Sequence, residues 1–347
     1  MAPPVLLPTR KLGKNGPQVT AIGFGMMGLS VAYGTSGPDE ERLAVLDRAW
    51  ELGCTNWDTS NAYGDCEDLI AKWFKLHPER RADIFLATKF GLTATYTPEG
   101  KFQLGADSTP ENARTSCERS LKRLGVDSID LFYVHRLNKD TPVEKTAEAL
   151  AELKKEGKIK AVGLSEISSQ SLRRAHKIVP IDAVQMEYSP WHLEIENEAG
   201  TDLLKTCREL GVTTFAYSPL SRGFLTGKVK SPDDFEPNDV RNNMPRFSKE
   251  NFYKNMVLVD KIAELANKKG CTPSQLTLAW ELAQGDDIVP IPGTKKIEYL
   301  EENLGAFDVT ISPEENKEIR AVIESCEMIG HRNPTGFMVG FTDTVEL

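Results

Sequence analysis

The sequence predicts an α/β protein: a (β/α)8 TIM barrel preceded by an N-terminal β-hairpin. Two observations predict it. Eight short runs rich in β-branched and aromatic residues recur along the chain, and most are separated by longer amphipathic, charged runs. From the second run to the seventh, the runs also end on, or carry, chemically distinctive side chains, as barrel strands do when they serve one rim.

The elements follow in order. RKLGKNGPQVTAIGFG sets two extended segments around Lys14-Asn15-Gly16, and Asn-Gly between such segments predicts a hairpin over about residues 9–20. The strand candidates are TAIGFG (20–25), TNWD (55–58), IFLATK (84–89), IDLFYVH (129–135), IKAVGLS (159–165), AVQMEY (183–188), VTTFAYS (212–218) and IVPIPG (288–293). DEERLAVLDRAWELG has helical period and ends at Gly53. TPENARTSCERSLKRLG opens with Thr109 as cap and Pro110 at the first helical position, and ends at Gly125. PVEKTAEALAELKKEG, SSQSLRRAHKIV and TDLLKTCRELG follow the same plan. FYKNMVLVDKIAELANKKG and TPSQLTLAWELAQG precede the last strand, and KKIEYLEENLG follows it. A doubly wound open sheet is the rival. Gly23-Phe24-Gly25-Met26-Met27-Gly28 matches its glycine pattern, but SVAYGTSGP intervenes where a helix should start, and eight units suit a closed barrel better.

The 347 residues are expected to form a single domain over 1–347, with a long active-site loop at about 221–251 and a C-terminal tail at about 312–347. A hydrophobic share of 40% and a charged share of 27% suit a soluble globular chain, and a net charge of -9 argues against wholesale nucleic-acid binding. The six cysteines have no C-x-x-C spacing, so a zinc ribbon or disulfide framework is not expected. With no signal peptide and no membrane span in view, the expected compartment is the reducing cytoplasm.

The strand ends carry Asp58 with Tyr63 just beyond, Lys89, His135, Ser165-Glu166, Gln185 and Tyr217-Ser218. A free tyrosine, with a pKa of about 10, is a poor acid near neutrality. A neighbouring ammonium lowers that value, a carboxylate holds the ammonium, and a histidine can hydrogen-bond the same substrate oxygen. Together they make a relay that delivers a proton to an oxygen as negative charge builds on it. No paired nucleophile and base is evident. Metal binding is not expected, because there is no H-E-x-x-H and no close histidine pair.

GFGMMG, NWDTSNAYG, LATKFG, IDLFYVHR, GKIKAVGLSE, VQMEYSP, AYSPLSRGFLTGK and IPGTKKIEYLEEN, in that order, resemble the aldo-keto reductase superfamily over nearly the whole chain. The later motifs are similar to the branch of pyridoxal reductases and of fungal and plant auxin-induced-type reductases. The resemblance implies an NADP-dependent reductase of aldehydes or ketones. Tyr63 would be the general acid, tuned by Lys89 and Asp58, and His135 would orient the carbonyl. It implies that Ser165, Glu166 and Gln185 hold the nicotinamide amide, that Tyr217 stacks on its ring, and that Gly25 and Met26 approach the ribose. Ser218, Leu220, Arg222 and Lys228 would cover the pyrophosphate. Gly293, Thr294, Lys295 and Lys296 would bind the 2′-phosphate of NADPH, and Glu302 and Asn303 would contact adenine. Two positions depart from the pattern: Glu166 stands where many members have Asn, and Tyr299 where many have Arg.

Each residue has a plainer role: Lys89 as an ion-pair partner, His135 as a core histidine, Tyr63 packing a helix start, Asp58 as a cap, and Lys295-Lys296 as solvated lysines at a helix start. Those plainer roles would have to hold independently at several strand ends of one barrel. Trp191, Met26, Met27, Tyr33 and Phe224 are divided between pocket lining and packing. The expected partner is a small carbonyl substrate, without nucleic acid or membrane, and self-association is open. Two other readings remain: a cofactor-binding regulatory subunit of a potassium channel with little turnover, and a barrel isomerase or lyase without nicotinamide.

Overall fold

The computed structural model describes residues 3–96, 102–333 and 340–347. Eight parallel strands form one sheet: β1 (Phe24–Gly25), β2 (Asn56–Asp58), β3 (Phe85–Phe90), β4 (Ile129–Val134), β5 (Ile159–Ser165), β6 (Ala183–Glu187), β7 (Thr213–Tyr217) and β8 (Ile288–Pro290). Each pairs with the next in chain order. The cylinder closes where the Gly23 N–H donates to the Pro290 carbonyl at 2.9 Å and the Gly25 N–H to the Pro292 carbonyl at 3.1 Å. Closure needs bare backbone there: a Cβ on Gly25 would lie 2.6 Å from the Ile291 carbonyl oxygen, and one on Gly293 would lie 2.5 Å from that of Gly25.

Around the sheet lie α1 (Asp39–Glu51), α2 (Cys66–Leu76), α3 (Pro110–Leu124), α4 (Val143–Lys155), α5 (Ser169–Ile178), α6 (Leu203–Leu210), α7 (Lys249–Lys269), α8 (Pro273–Leu282), α9 (Ile297–Leu304) and α10 (Pro313–Glu324). Thr109 caps α3 by accepting from the Asn112 N–H, and Gly125 ends it at φ +66°. The strands bury both faces. Ala87, Leu131, Tyr133, Ala161, Ala183, Phe215 and Val289 fill the cylinder. Val45, Leu86, Phe132, Val162 and Leu172 are among the residues that pack strands against helices.

A hairpin of Thr9–Lys11 with Gln18–Thr20 crosses the end where the strands begin, and its Leu12 and Val19 plug the interior. Its connection spans residues 12–17, and Gly13, not Gly16, takes the left-handed conformation. Thr20 belongs to this hairpin, so β1 is shorter than the expected run from residue 20. Helices α2 and α10 and a second hairpin, Leu92–Tyr96 with Phe102–Ala106, were not expected from the sequence. Between β7 and α7 the chain makes four short 3-10 turns within residues 221–247.

A cavity of about 820 Å³ opens at the hairpin end, lined by residues such as Lys14, Asp83, Lys160 and His176. It faces the starts of β3 and β5, and its Lys160 and Lys154 are engaged by Asp130 and Asp182. Asp58, Lys89 and His135 stand at the other end, where the strands finish. Among the described residues, no helix is long and apolar enough to cross a membrane.

Candidate active site

Lys89 is fully buried, and its ammonium donates to Asp58 Oδ1 at 2.5 Å and to the Thr59 carbonyl at 2.7 Å. The Gln185 amide donates to the other Asp58 oxygen at 2.8 Å. Burial pushes the Asp58 carboxyl up, against the pull of Lys89 and Gln185. Both of its oxygens nonetheless accept from donors, which is the pattern of a carboxylate. Burial alone would lower the Lys89 pKa, but Asp58 and then Tyr63 outweigh it and the net direction is up. The pair is therefore a buried ammonium and carboxylate.

Tyr63 lies half-buried beyond β2, its ring centroid 5.0 Å from the Lys89 ammonium and 5.6 Å from the His135 ring, which it meets edge-on. The expected acidification of this phenol is corrected. Burial raises its pKa, the Lys89 charge lowers it, and burial wins. His135 is buried, and burial, then Arg136 and Lys89, holds it well below the ordinary histidine value. It is a neutral imidazole at neutral pH. Ser60 Oγ sits 3.1 Å from its Nδ1 and accepts from the Ala62 N–H at 3.2 Å. The Ser60 hydroxyl proton is thus available to Nδ1, and we assign the imidazole proton to Nε2.

The next strand ends bear a strained rim. Glu166, Ser218, Ser221 and Arg222 are non-glycine residues at φ +57°, +52°, +49° and +58°. Such conformations cost about 1–3 kcal/mol each and persist only where surrounding contacts fix them. Glu166 Oε1 accepts from the Tyr217 hydroxyl at 2.7 Å. Both Glu166 oxygens also receive the guanidinium of Arg332, at 3.1 and 2.6 Å. Burial would raise Glu166, yet Arg332, then Arg136, brings it down to about 2. Ser165 Oγ lies 3.4 Å from Arg136.

The residues expected at the phosphate end gather beside the β1–β8 seam. Lys228 donates to Glu302 at 2.6 Å and stands 3.7 Å over the Tyr299 ring, with Lys296 at 5.2 Å from the same ring. Tyr299 thus collects two ammonium groups by cation–π attraction. Lys295 donates to the Tyr33 and Thr35 carbonyls at 2.6 and 3.2 Å, and Thr294 Oγ1 accepts from the Lys296 N–H at 3.0 Å. Arg222 lies 3.9 Å from Glu187, and its Nε has no hydrogen-bond partner among the described residues. Leu220 is partly buried, Asn303 is buried on α9, and the Met26 N–H donates to the Asp58 carbonyl at 2.9 Å. Three lysines and an arginine face Glu302, Glu298 at 3.6 Å from Lys296, and Glu187 at 3.9 Å from Arg222, a cationic donor set that fits an anionic dinucleotide.

Of the five residues divided between lining and packing, Met26, Trp191 and Phe224 are buried. Trp191 stacks on Phe224 at 4.5 Å, and Phe224 meets Phe247 and Phe252 at 5.6 and 5.0 Å, so both are core. Met27 and Tyr33 stay partly exposed. Sequence reading missed Ser60, Glu187, Arg246 and Arg332. Ser60 and Glu187 sit inside quoted motifs and drew no notice, whereas Arg332, in the tail, has no periodicity to announce it. Residues 334–339 of that tail lie outside the described residues.

A closed parallel barrel with a buried acid–amine pair, a phenol and a neutral imidazole at the strand ends is the architecture of a barrel oxidoreductase. Residues 21–324 match the model of the Aldo/keto reductase family, and the chain belongs to that family. It is 52% identical to aldo-keto reductase str7 of Strobilurus tenacellus over 332 residues, covering 94% of this chain and 95% of that protein. It is 51% identical to aldo-keto reductase yakc [NADP(+)] of Schizosaccharomyces pombe, covering 95% of each. Among solved structures, the glycerol dehydrogenase AKR11B4 of Gluconobacter oxydans superposes with a TM-score of 0.81 at 26% identity, over 95% of this chain and 99% of that one. The thermostable aldo-keto reductase Tm1743, in complex with the inhibitor epalrestat, gives 0.69 at 28% identity, over 91% and 100%.

Proposed function

We propose that the protein reduces a small aldehyde or ketone to the alcohol, with Tyr63 as the proton donor and NADPH as the coenzyme. The observation that carries this reading is the convergence of Tyr63, Lys89, Asp58 and His135 at one rim. The donor set of Lys228, Lys295, Lys296 and Arg222 supports a phosphorylated dinucleotide, as does the NADP named in a relative at 51% identity. When bound, the coenzyme supplies the hydride that adds to the carbonyl carbon.

The chain's own residues manage the proton. The phenol's raised pKa keeps it protonated at neutral pH, ready to give its proton to an oxygen that becomes an alkoxide. Lys89, locked in place by Asp58, stabilises the phenolate left behind. Neutral His135 donates from Nε2 to the same oxygen and fixes the carbonyl's orientation. Water then returns the proton to Tyr63. Among the described residues all six cysteines are free, which supports residence in a reducing cytoplasm.

A panel of aldehydes, ketones, quinones and pyridoxal, followed by loss of NADPH absorbance, tests the reading. Turnover of a panel member is expected. Tight NADPH binding with no turnover of any of them would overturn it and favour a cofactor-sensing regulator.

A further inference from the structure

The Glu166 carboxylate, expected to face the nicotinamide amide, is occupied by a residue far away in sequence. Arg332 is buried, and its guanidinium reaches three groups on three consecutive strand ends. Nη1, with two protons, lies within hydrogen-bond distance of three acceptors, so two of them share a proton: Glu166 Oε1 at 3.1 Å, Glu187 Oε2 at 3.0 Å and the Tyr217 hydroxyl at 2.9 Å, while Nη2 donates to Glu166 Oε2 at 2.6 Å. The Tyr217 hydroxyl in turn donates a hydrogen bond to Glu166 Oε1 at 2.7 Å. The three groups therefore have one compatible arrangement, and the guanidinium sets it.

The charges around this node are unequal. Glu187 has other cations at hand, Arg246 at 3.3 Å and Arg222 at 3.9 Å, with buried His192 beside it. Glu166 has Arg332 as its one hydrogen-bonded cation among the described residues, with Arg136 acting on it through space. Its backbone is also held at positive φ. Removing Arg332 would leave a buried carboxylate without its hydrogen-bonded ion and a tyrosine hydroxyl free to turn. The far part of the tail reinforces the same place. Gly340 lies so close to Glu166 and Arg332 that a Cβ would collide with both. Two residues on, the Thr342 N–H donates to the Glu166 carbonyl at 3.0 Å, and Thr342 pairs with Ile167 in parallel register. Arg174 on α5 holds the Thr344 and Val345 carbonyls at 2.9 and 2.6 Å.

We propose that Arg332 is a positioning residue for hydride transfer, which fixes the Tyr217 ring and makes Glu166 the tail's counter-ion, not the partner of the nicotinamide amide. This rests on the reductase reading, in which the nicotinamide stacks on Tyr217.

The test compares wild type, R332A, R332K, E166Q and the double variant E166Q/R332A. It reads NADPH affinity by fluorescence quenching, kcat and KM with one aldehyde, and hydrogen exchange in residues 340–347. R332A is expected to lose on the order of 10²-fold in kcat through a displaced ring. Its NADPH affinity falls and residues 340–347 exchange faster. E166Q/R332A should regain slow exchange in residues 340–347, because the neutral amide no longer needs a buried cation, while kcat stays low because no guanidinium fixes the Tyr217 ring. R332K keeps the charge without the three-way geometry, and is expected to hold the tail yet still lose kcat. It carries the test should R332A not fold. Wild-type kcat and affinity in R332A and R332K would overturn the proposal, as would a double variant that regains wild-type kcat or whose residues 340–347 exchange as fast as in R332A. A wild-type chain that neither binds nor oxidises NADPH would instead remove the reductase reading itself, and this proposal with it.

Discussion

Lys89 and Asp58 face each other at 2.5 Å, with the lysine at 0% and the aspartate at 2% exposure. Two full charges in so dry a place bind each other firmly, and neither tolerates loss of its partner. Breaking such a pair from one side typically costs about 3–5 kcal/mol, whereas removing both can be nearly neutral. Asp58→Ala should therefore lower the melting temperature sharply, and Asp58→Ala with Lys89→Met should restore much of it. Thermal unfolding of the three proteins checks this; a double variant no more stable than Asp58→Ala refutes it.

Tyr63→Phe removes one hydroxyl from a partly exposed ring. NADPH affinity should stay within about 2-fold, because no phosphate-end contact changes. Turnover should fall by on the order of 10²–10⁴-fold, the range for losing a general acid. Quenching titrations and steady-state rates on the same preparation separate the two effects.

Two ionisations should be displaced in the pH profile of reduction. His135 is already neutral well below its usual range, so kcat should show no step near pH 6.5. Burial holds the Tyr63 proton more tightly than in a free tyrosine, so the alkaline decline in kcat should lie at higher pH than a free tyrosine would impose. Stability carries the histidine's other consequence. Its folded pKa is lowered, so the unfolded chain binds the extra proton first. The contribution is complete above about pH 6.5 and is lost as pH falls from there toward the folded value, at about 1.4 kcal/mol per unit. Denaturant titrations of wild type and His135→Gln between pH 4 and 8 should differ in slope.

Lys296→Ala removes one of the two ammonium groups gathered on Tyr299. If Lys296 binds the 2′-phosphate as proposed, NADPH should bind about tenfold more weakly and NADH nearly as before. Equal losses for both coenzymes would place Lys296 elsewhere.

Much of the fold was legible because strands buried on both faces read as apolar runs, and IKAVGLS matched β5 residue for residue. The acid, phenol, amine and imidazole were legible because each closes or follows such a run. Two kinds of feature escaped. The Leu92–Tyr96 hairpin and helix α2 fall between strands whose own pattern drew the eye. Arg332 escaped because its partners lie more than a hundred residues back, and no local period encodes an ion pair of that reach. The acidity of Tyr63 was misjudged for a related reason: the adjoining amine is visible in the sequence, but the depth of burial is not.

The cylinder has one weak stave. Its first strand is two residues long, and the Pro290 and Pro292 carbonyls accept hydrogen bonds from the Gly23 and Gly25 N–H groups, while the prolines have no N–H to donate in return. The other neighbours are laced along their full overlap. Partial opening should start at that joint, with Gly23 and Gly25 among the earliest barrel amides to take up deuterium. Because the lysines expected to grip the coenzyme's phosphate stand beside the same joint, saturating coenzyme should slow that uptake more than it slows uptake in the strands opposite.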